Sequence, residues 1–300
     1  MILRTPSRTL DEEVRWGLVG QLDAVLQLGA GAGADPETAV HEIRKALKRV
    51  RAWLRLVRSH LGEELFREEN RGARDMGRLL GPARDADIHV ETLAIILHEL
   101  PDTKGSPSIH ELARRLEVRR ALVRQVVLAD DGPMDQVMER AGHARDRAAA
   151  LPLGGLGPGE LATGMGVSYA AARDRYLEAR RSGDPERHHS WRKRVKDLQY
   201  QLQLLAPRLT PGLRKRLDAQ ERMGSHLGLA NDLANLAELL RQEPVLVPDD
   251  EVRERLVTAA VELRNREWRD ARRIGSGAFR RDPEELEKRI RKALDRRSGG

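Results

Sequence analysis

Cysteine is absent from the 300-residue sequence, which removes disulfides, thiol nucleophiles and thiolate metal sites together and fits a reducing compartment. Aromatic residues are scarce, at four Trp, three Tyr and two Phe, which argues against a surface that stacks the bases of a nucleic-acid strand. Sustained alternation of polar and apolar residues, the mark of half-buried strands, is missing as well. No stretch approaches the roughly 20 apolar residues of a membrane span, and Met1 to Leu10 lacks the apolar core of a signal peptide. The expectation is a soluble, cytoplasmic, all-α protein.

What is present supports that class. Apolar residues recur at spacings of three and four along most of the chain, and a hydrophobic content of 40% suffices for a core. Asp35-Pro36, Asp184-Pro185 and Asp282-Pro283 read as helix starts, with aspartate capping free amides and proline at the first helical position. Two of these starts predict long helices over roughly 36–60 and 185–206. Periodicity breaks at Gly29 to Ala34, Pro101 to Pro107, Leu151 to Gly159, Thr210 to Gly212 and Pro244 to Pro248. The richest break, "LPLGGLGPGE", divides the chain into halves 1–155 and 156–300. Each half is expected to form an antiparallel bundle of four-helix type. The amphipathic terminal segment "DPEELEKRIRKALDRR" is predicted to pack within the chain or to pair with a second copy.

One pattern occurs in both halves. His41, Arg44, Lys45 and Lys48 are followed by Gly81 and Asp85; His189, Arg192, Lys193 and Lys196 are followed by Gly228 and Asp232 at nearly the same offsets. On a helix turning about 100° per residue, offsets of three, four and seven share one side, so each copy builds a cationic stripe. The duplication predicts halves related by an approximate two-fold axis with the stripes facing each other and sharing one anionic ligand.

Arg51, Arg55 and Arg58 prolong the first stripe, and no acidic residue stands between Glu42 and Glu63. Like charges one turn apart destabilise a helix by a few tenths of a kcal/mol per pair, so an anion is the expected compensation. The second stripe is shorter, since Asp197, Gln199 and Gln203 stand where the first has Arg49, Arg51 and Arg55. Only eight of the 54 basic residues are lysines, and four of them are Lys45, Lys48, Lys193 and Lys196. Cations around His41 and His189 should resist protonation of both imidazoles until an anion arrives. Metal ligation by these histidines lacks carboxylates at suitable spacing on the same face. Gly81 and Gly228 read as helix ends or tight connections, after which Arg84-Asp85 and Asn231-Asp232 open the next helix. Asp85 and Asp232 serve there either the helix dipole or as acceptors that hold stripe cations, with Arg84 adding a ligand contact.

The segments "HEIRKALKRVRAWL" with "GPARD", and "HSWRKRVKDLQYQLQLL" with "LGLAND", resemble the two motif copies of the CHAD family, the conserved histidine α-helical domain. The resemblance spans roughly residues 10–275. It implies two four-helix bundles with internal two-fold pseudosymmetry, a basic central pore or groove, and noncatalytic binding of inorganic polyphosphate, with localisation to polyphosphate granules. By position it implies ligand contacts at His41, Arg44, Lys48, Arg49, Arg51 and Arg84 in one half and His189, Arg192, Lys193 and Lys196 in the other. Lys45 stands where the family is usually apolar, and Gln199 where an arginine usually precedes Tyr200. The net charge of +7 also admits nucleic acid as a partner, although no helix-turn-helix or zinc motif supports that reading. A phosphohydrolase would need a metal-binding carboxylate cluster, a phosphate loop or an activated nucleophile, and the sequence offers no such motif. No cofactor or metal is expected, and self-association is left open.

Overall fold

The computed structural model describes residues 8–103 and 105–298 and is all-helical over them. In the first half, α1 (Leu10–Ala30), α2 (Pro36–Leu56), the short α3 (Arg58–Leu61), α4 (Glu63–Leu79), α5 (Gly81–Glu99), α6 (Pro107–Val127) and α7 (Pro133–Ala150) follow in order. The second half carries α8 (Pro158–Ala179), α9 (Pro185–Leu204), α10 (Pro211–Gln242), α11 (Asp250–Ala278) and α12 (Pro283–Ser298).

Local chemistry sets most of the ends. Asp35 accepts from the Thr38 amide at 3.1 Å, Asp184 from Glu186 at 2.9 Å and Asp282 from Glu284 at 2.9 Å, so the three predicted Asp-Pro caps all form. Helix α2 stops at Leu56, earlier than predicted, with the break at Val57; the short α3 then ends at Gly62, whose φ of +80° separates it from α4.

The larger correction concerns Gly228. It lies inside α10, an unbroken helix from Pro211 to Gln242, whereas Gly81 does begin α5. An interior glycine costs about 1 kcal/mol against alanine. Burial of Leu227, Ala230, Leu233, Leu236 and Leu240 around it outweighs that penalty, at roughly 1.5–3 kcal/mol per large side chain.

Helices α1, α2, α4 and α7 close a four-membered ring, each packed on the next. Pairings recur along the chain: α1 with α2 and α8 with α9, α2 with α4 and α9 with α10, α5 with α6 and α10 with α11, α1 with α7 and α8 with α12. A main core runs through both halves, and a smaller one joins α5 and α6 to the distal parts of α10 and α11. Leu151, Leu153 and Leu156 of the central connection are buried in the main core, so this proline- and glycine-rich segment is packed in place. The terminal helix α12 buries Leu286, Ile290, Ala293 and Leu294 and lies against α8.

Contact between α2 and α9 positions the site. Helix α2 buries Val40, Ile43, Leu47, Val50 and Leu54 on one side, and this leaves the His41-Arg44-Lys48 side free of the core. Truncating a buried leucine such as Leu47 to alanine costs about 2–5 kcal/mol. The Trp53 indole donates to the Tyr200 carbonyl at 2.8 Å, and the Gln201 amide donates to the Ala52 carbonyl at 2.9 Å, which fixes the crossing. Close approach from the other side needs Gly164 of α8, where a Cβ would stand 2.0 Å from the Leu56 carbonyl oxygen.

Candidate functional site: a cation cluster between two helices

The crossing of α2 and α9 brings the stripes together. Arg192, Arg44 and Lys196 all press electrostatically on Lys48, while Asp232 alone favours its charge. Desolvation is the larger cause and, together with their repulsion, pulls Lys48 down to about 7. Lys48 is exposed along its side chain although many protein atoms surround its amine. Burial, then Arg192, pulls Lys196 down to about 8.

Partners separate these cations into two groups. Among the described residues, Lys48, Arg192 and Lys193 have no hydrogen bond or ion pair; Arg44 donates only to the Gly77 carbonyl, and Lys196 only to Gln199 at 3.0 Å. The Nε atoms of Arg44 and Arg192 are buried without acceptors. A buried guanidinium N–H left unpaired is destabilising by a few kcal/mol, so these groups are poised for an anion.

The remaining stripe residues are already engaged. Arg55 pairs with Asp197 of α9 at 3.1 Å, Arg51 reaches Asn70 at 3.2 Å, and Arg49 reaches Gln21 at 3.2 Å while lying 5.9 Å above the Tyr200 ring. Burial holds Arg51 down to about 10 and raises Asp197 despite its arginine neighbours. Lys45 pairs with Glu42 at 2.9 Å, Arg84 with Glu91 at 2.8 Å and Arg58 with Glu63 at 2.7 Å. The charge that α2 alone leaves uncompensated is thus met in part by protein carboxylates, and Asp197 supplies it from 142 residues away in sequence.

Both histidines resist protonation, chiefly through desolvation, with Arg84 opposing His41 and Lys193 and Arg192 opposing His189. Their partners differ. His189 Nδ1 lies 2.6 Å from the Asn231 side-chain oxygen, whereas His41 is half-exposed beside Glu42 at 3.7 Å. The adjacent His188 belongs to the core, stacked on Trp268 at 3.9 Å.

Neither predicted aspartate takes a hydrogen bond from a stripe cation among the described residues. Asp85 favours the charge on Arg44 through space, and Asp232 accepts from Asn231 at 3.3 Å in the field of Arg192, Arg84 and Lys48. Burial raises Asp232, so it is a partial and reluctant counter-ion. Asn231 and Glu221 are site residues that sequence reasoning did not single out. Asn231 was legible as the counterpart of Arg84; Glu221, which favours the Lys196 charge and accepts from Gln203 at 2.7 Å, carries no sequence signal.

A cluster of Arg forks and Lys amines with no carboxylate bound to any of them can hold an anion that offers several oxygens. The CHAD domain family model matches residues 18–241. The chain belongs to the CHAD family. Two solved structures share the fold: the CHAD domain from the plant Ricinus communis, at 21% identity over 96% of this chain and 92% of that one with a TM-score of 0.61, and PptA from Streptomyces chartreusis, at 17% over 90% and 99% with a TM-score of 0.58. Among curated proteins nothing matches. Within this CHAD domain the paired motifs fall on α2 with α5 and on α9 with α10, and no helix among the described residues is long and apolar enough to cross a membrane.

Proposed function

We propose that this CHAD domain binds inorganic polyphosphate, without turning it over, in a basic central pore or groove between α2 and α9. The observation that carries the reading is the convergence of Arg44, Lys48, Arg192 and Lys196 with no carboxylate bound to any of them. Polyphosphate has about one negative charge per phosphate and no bases to read, so recognition comes from repeated contacts and counterion release. Family membership supports this ligand. The repeated helix pairings support an approximate internal two-fold axis, which would let one phosphate chain meet both stripes. Granule association follows as the cellular consequence of retaining a long polyanion.

The test is retention of long-chain polyphosphate by an Arg44→Ala/Lys48→Ala/Arg192→Ala/Lys196→Ala variant. We expect loss of retention with an unchanged helical circular-dichroism spectrum, and wild-type binding that weakens steeply with salt. Undiminished retention would reject the site. Competition with DNA or RNA separates the nucleic-acid reading, since polyphosphate should displace nucleic acid and the reverse should fail. Phosphate release above background with added magnesium or manganese would overturn the noncatalytic assignment.

A further inference from the structure

Away from the α2–α9 cluster, a cavity of ≈ 400 Å³ opens between the start of α10, the end of α11 and the start of α12. Six of its lining residues are cations, Lys215, Arg216, Arg222, Arg280, Arg281 and Arg289, and none is acidic. A neighbouring hollow of ≈ 320 Å³ shares Gly212, Arg216 and Arg289 with it and adds Lys292. We propose that this cavity is a second anion site, distinct from the α2–α9 cluster, for a compact ligand with several phosphate groups.

Partners within the protein are too few to neutralise the cluster. Only Arg281 and Arg289 meet a carboxylate, and it is the same one, Glu285. Lys215, Arg222, Arg280 and Lys292 make no hydrogen bond or ion pair among the described residues. Arg216, half-buried, is held by the Ala278 carbonyl at 3.0 Å and lies 5.8 Å from the Tyr169 ring centroid. Burial, with Arg281 and Arg289 nearby, makes its charge costly, a cost that a multivalent anion in the cavity would relieve. Exposed arginines are ordinarily solvated or paired along their own helix. Here cations from α10, from α12 and from the connection between α11 and α12 converge on one concavity with a partly apolar floor of Ala219, Ile274 and Ala278.

Helix geometry separates this cavity from the first cluster. A Cβ on Gly224 would stand 3.0 Å from Lys196 Nζ, so that side of α10 faces the stripes. Ala219, Lys215 and Arg222 lie roughly 140–200° around the helix from Gly224, on the opposite side. A single short anion cannot occupy both places.

Tripolyphosphate is the probe, titrated calorimetrically into a Lys48→Ala/Arg192→Ala variant in which the first cluster is disabled. Retained binding is expected, and adding Lys215→Glu/Arg222→Glu/Arg280→Glu, all at exposed positions, should weaken it by about tenfold or more. An equal charge change elsewhere, Arg140→Glu/Arg255→Glu/Arg269→Glu, should have far less effect. No binding by the disabled background, or equal weakening by both sets of reversals, overturns the second site. In the otherwise wild-type protein, reversal at 215, 222 and 280 should weaken long-chain binding if one polyphosphate molecule spans both sites, and should spare it if the cavity takes a separate short phosphate ligand. Loss of long-chain binding by Lys48→Ala/Arg192→Ala reports on the first cluster alone, so the two readings fail independently.

Discussion

The two motif copies differ at the position that faces each histidine. Arg84 stands near His41 and opposes its protonation, while Asn231 stands against His189 and shares a 2.6 Å hydrogen bond with it. Backbone differs too: the first copy is interrupted between α4 and α5 at Leu80, and the second runs straight through α10. A break lets the first copy aim Arg84 from a separate helix start, where Glu91 steadies it at 2.8 Å. The continuous helix instead offers a neutral amide that orients an imidazole. Equivalent sequence spacing has therefore produced one half that repels and one half that positions.

The largest expected effect tests which half carries more of the ligand. Lys48→Ala should weaken polyphosphate binding about tenfold to a hundredfold, as for losing one or two charge-assisted contacts, and Lys196→Ala should weaken it less. Lys48 faces three cations, Arg192, Arg44 and Lys196, against Asp232, whereas Lys196 faces two, Arg192 and Lys45, against Glu221. Equal losses measured by a retention or calorimetric assay would erase the asymmetry.

Proton linkage gives the next test. Lys48 at about 7, against an ordinary 10.5, binds its proton less tightly when folded, so between those values the unfolded chain holds more protons and ligand-free stability rises with pH. An anion draws the proton back. Polyphosphate binding should take up protons near pH 8 and tighten as pH falls toward 6, with His41 and His189 adding to the trend at the acidic end. Calorimetry in buffers of different ionisation enthalpy measures the uptake. In Lys48→Arg the dependence above pH 7 should shrink, because a guanidinium stays charged; a profile flat from pH 5 to 8 in the wild type would contradict the arrangement.

Asn231→Arg would make the second copy more like the first. We expect binding to tighten by a few-fold at most, since one cation is gained while the His189 contact is lost, and the His189 imidazole NMR titration should move to lower pH. The smallest expected change is in stability. Gly228→Ala should stabilise the fold by about 0.5–1 kcal/mol in chemical denaturation, because the glycine is mid-helix and an added Cβ meets nothing within 4 Å.

Much of this was legible in advance. The all-helical class, the three Asp-Pro caps and the central break follow from short-range rules, and the structure keeps them. Gly228 misled because a single residue's propensity says nothing of the leucines packed around its helix. In the site, the stripes could be read from spacing, but the division between engaged and unengaged cations could not. Arg55 looked as free as Arg44 until α9 delivered Asp197 to it.

The sequence by itself determined where the three helices capped by Asp-Pro begin and that each motif copy places its cations along one side, because capping and the helical repeat act over a few residues. Tertiary structure decided which of those cations lack an acceptor. Carboxylates a turn away can be counted along the chain, but partners brought by another helix depend on how α2 and α9 cross, and that crossing is set by the packing of both halves' cores.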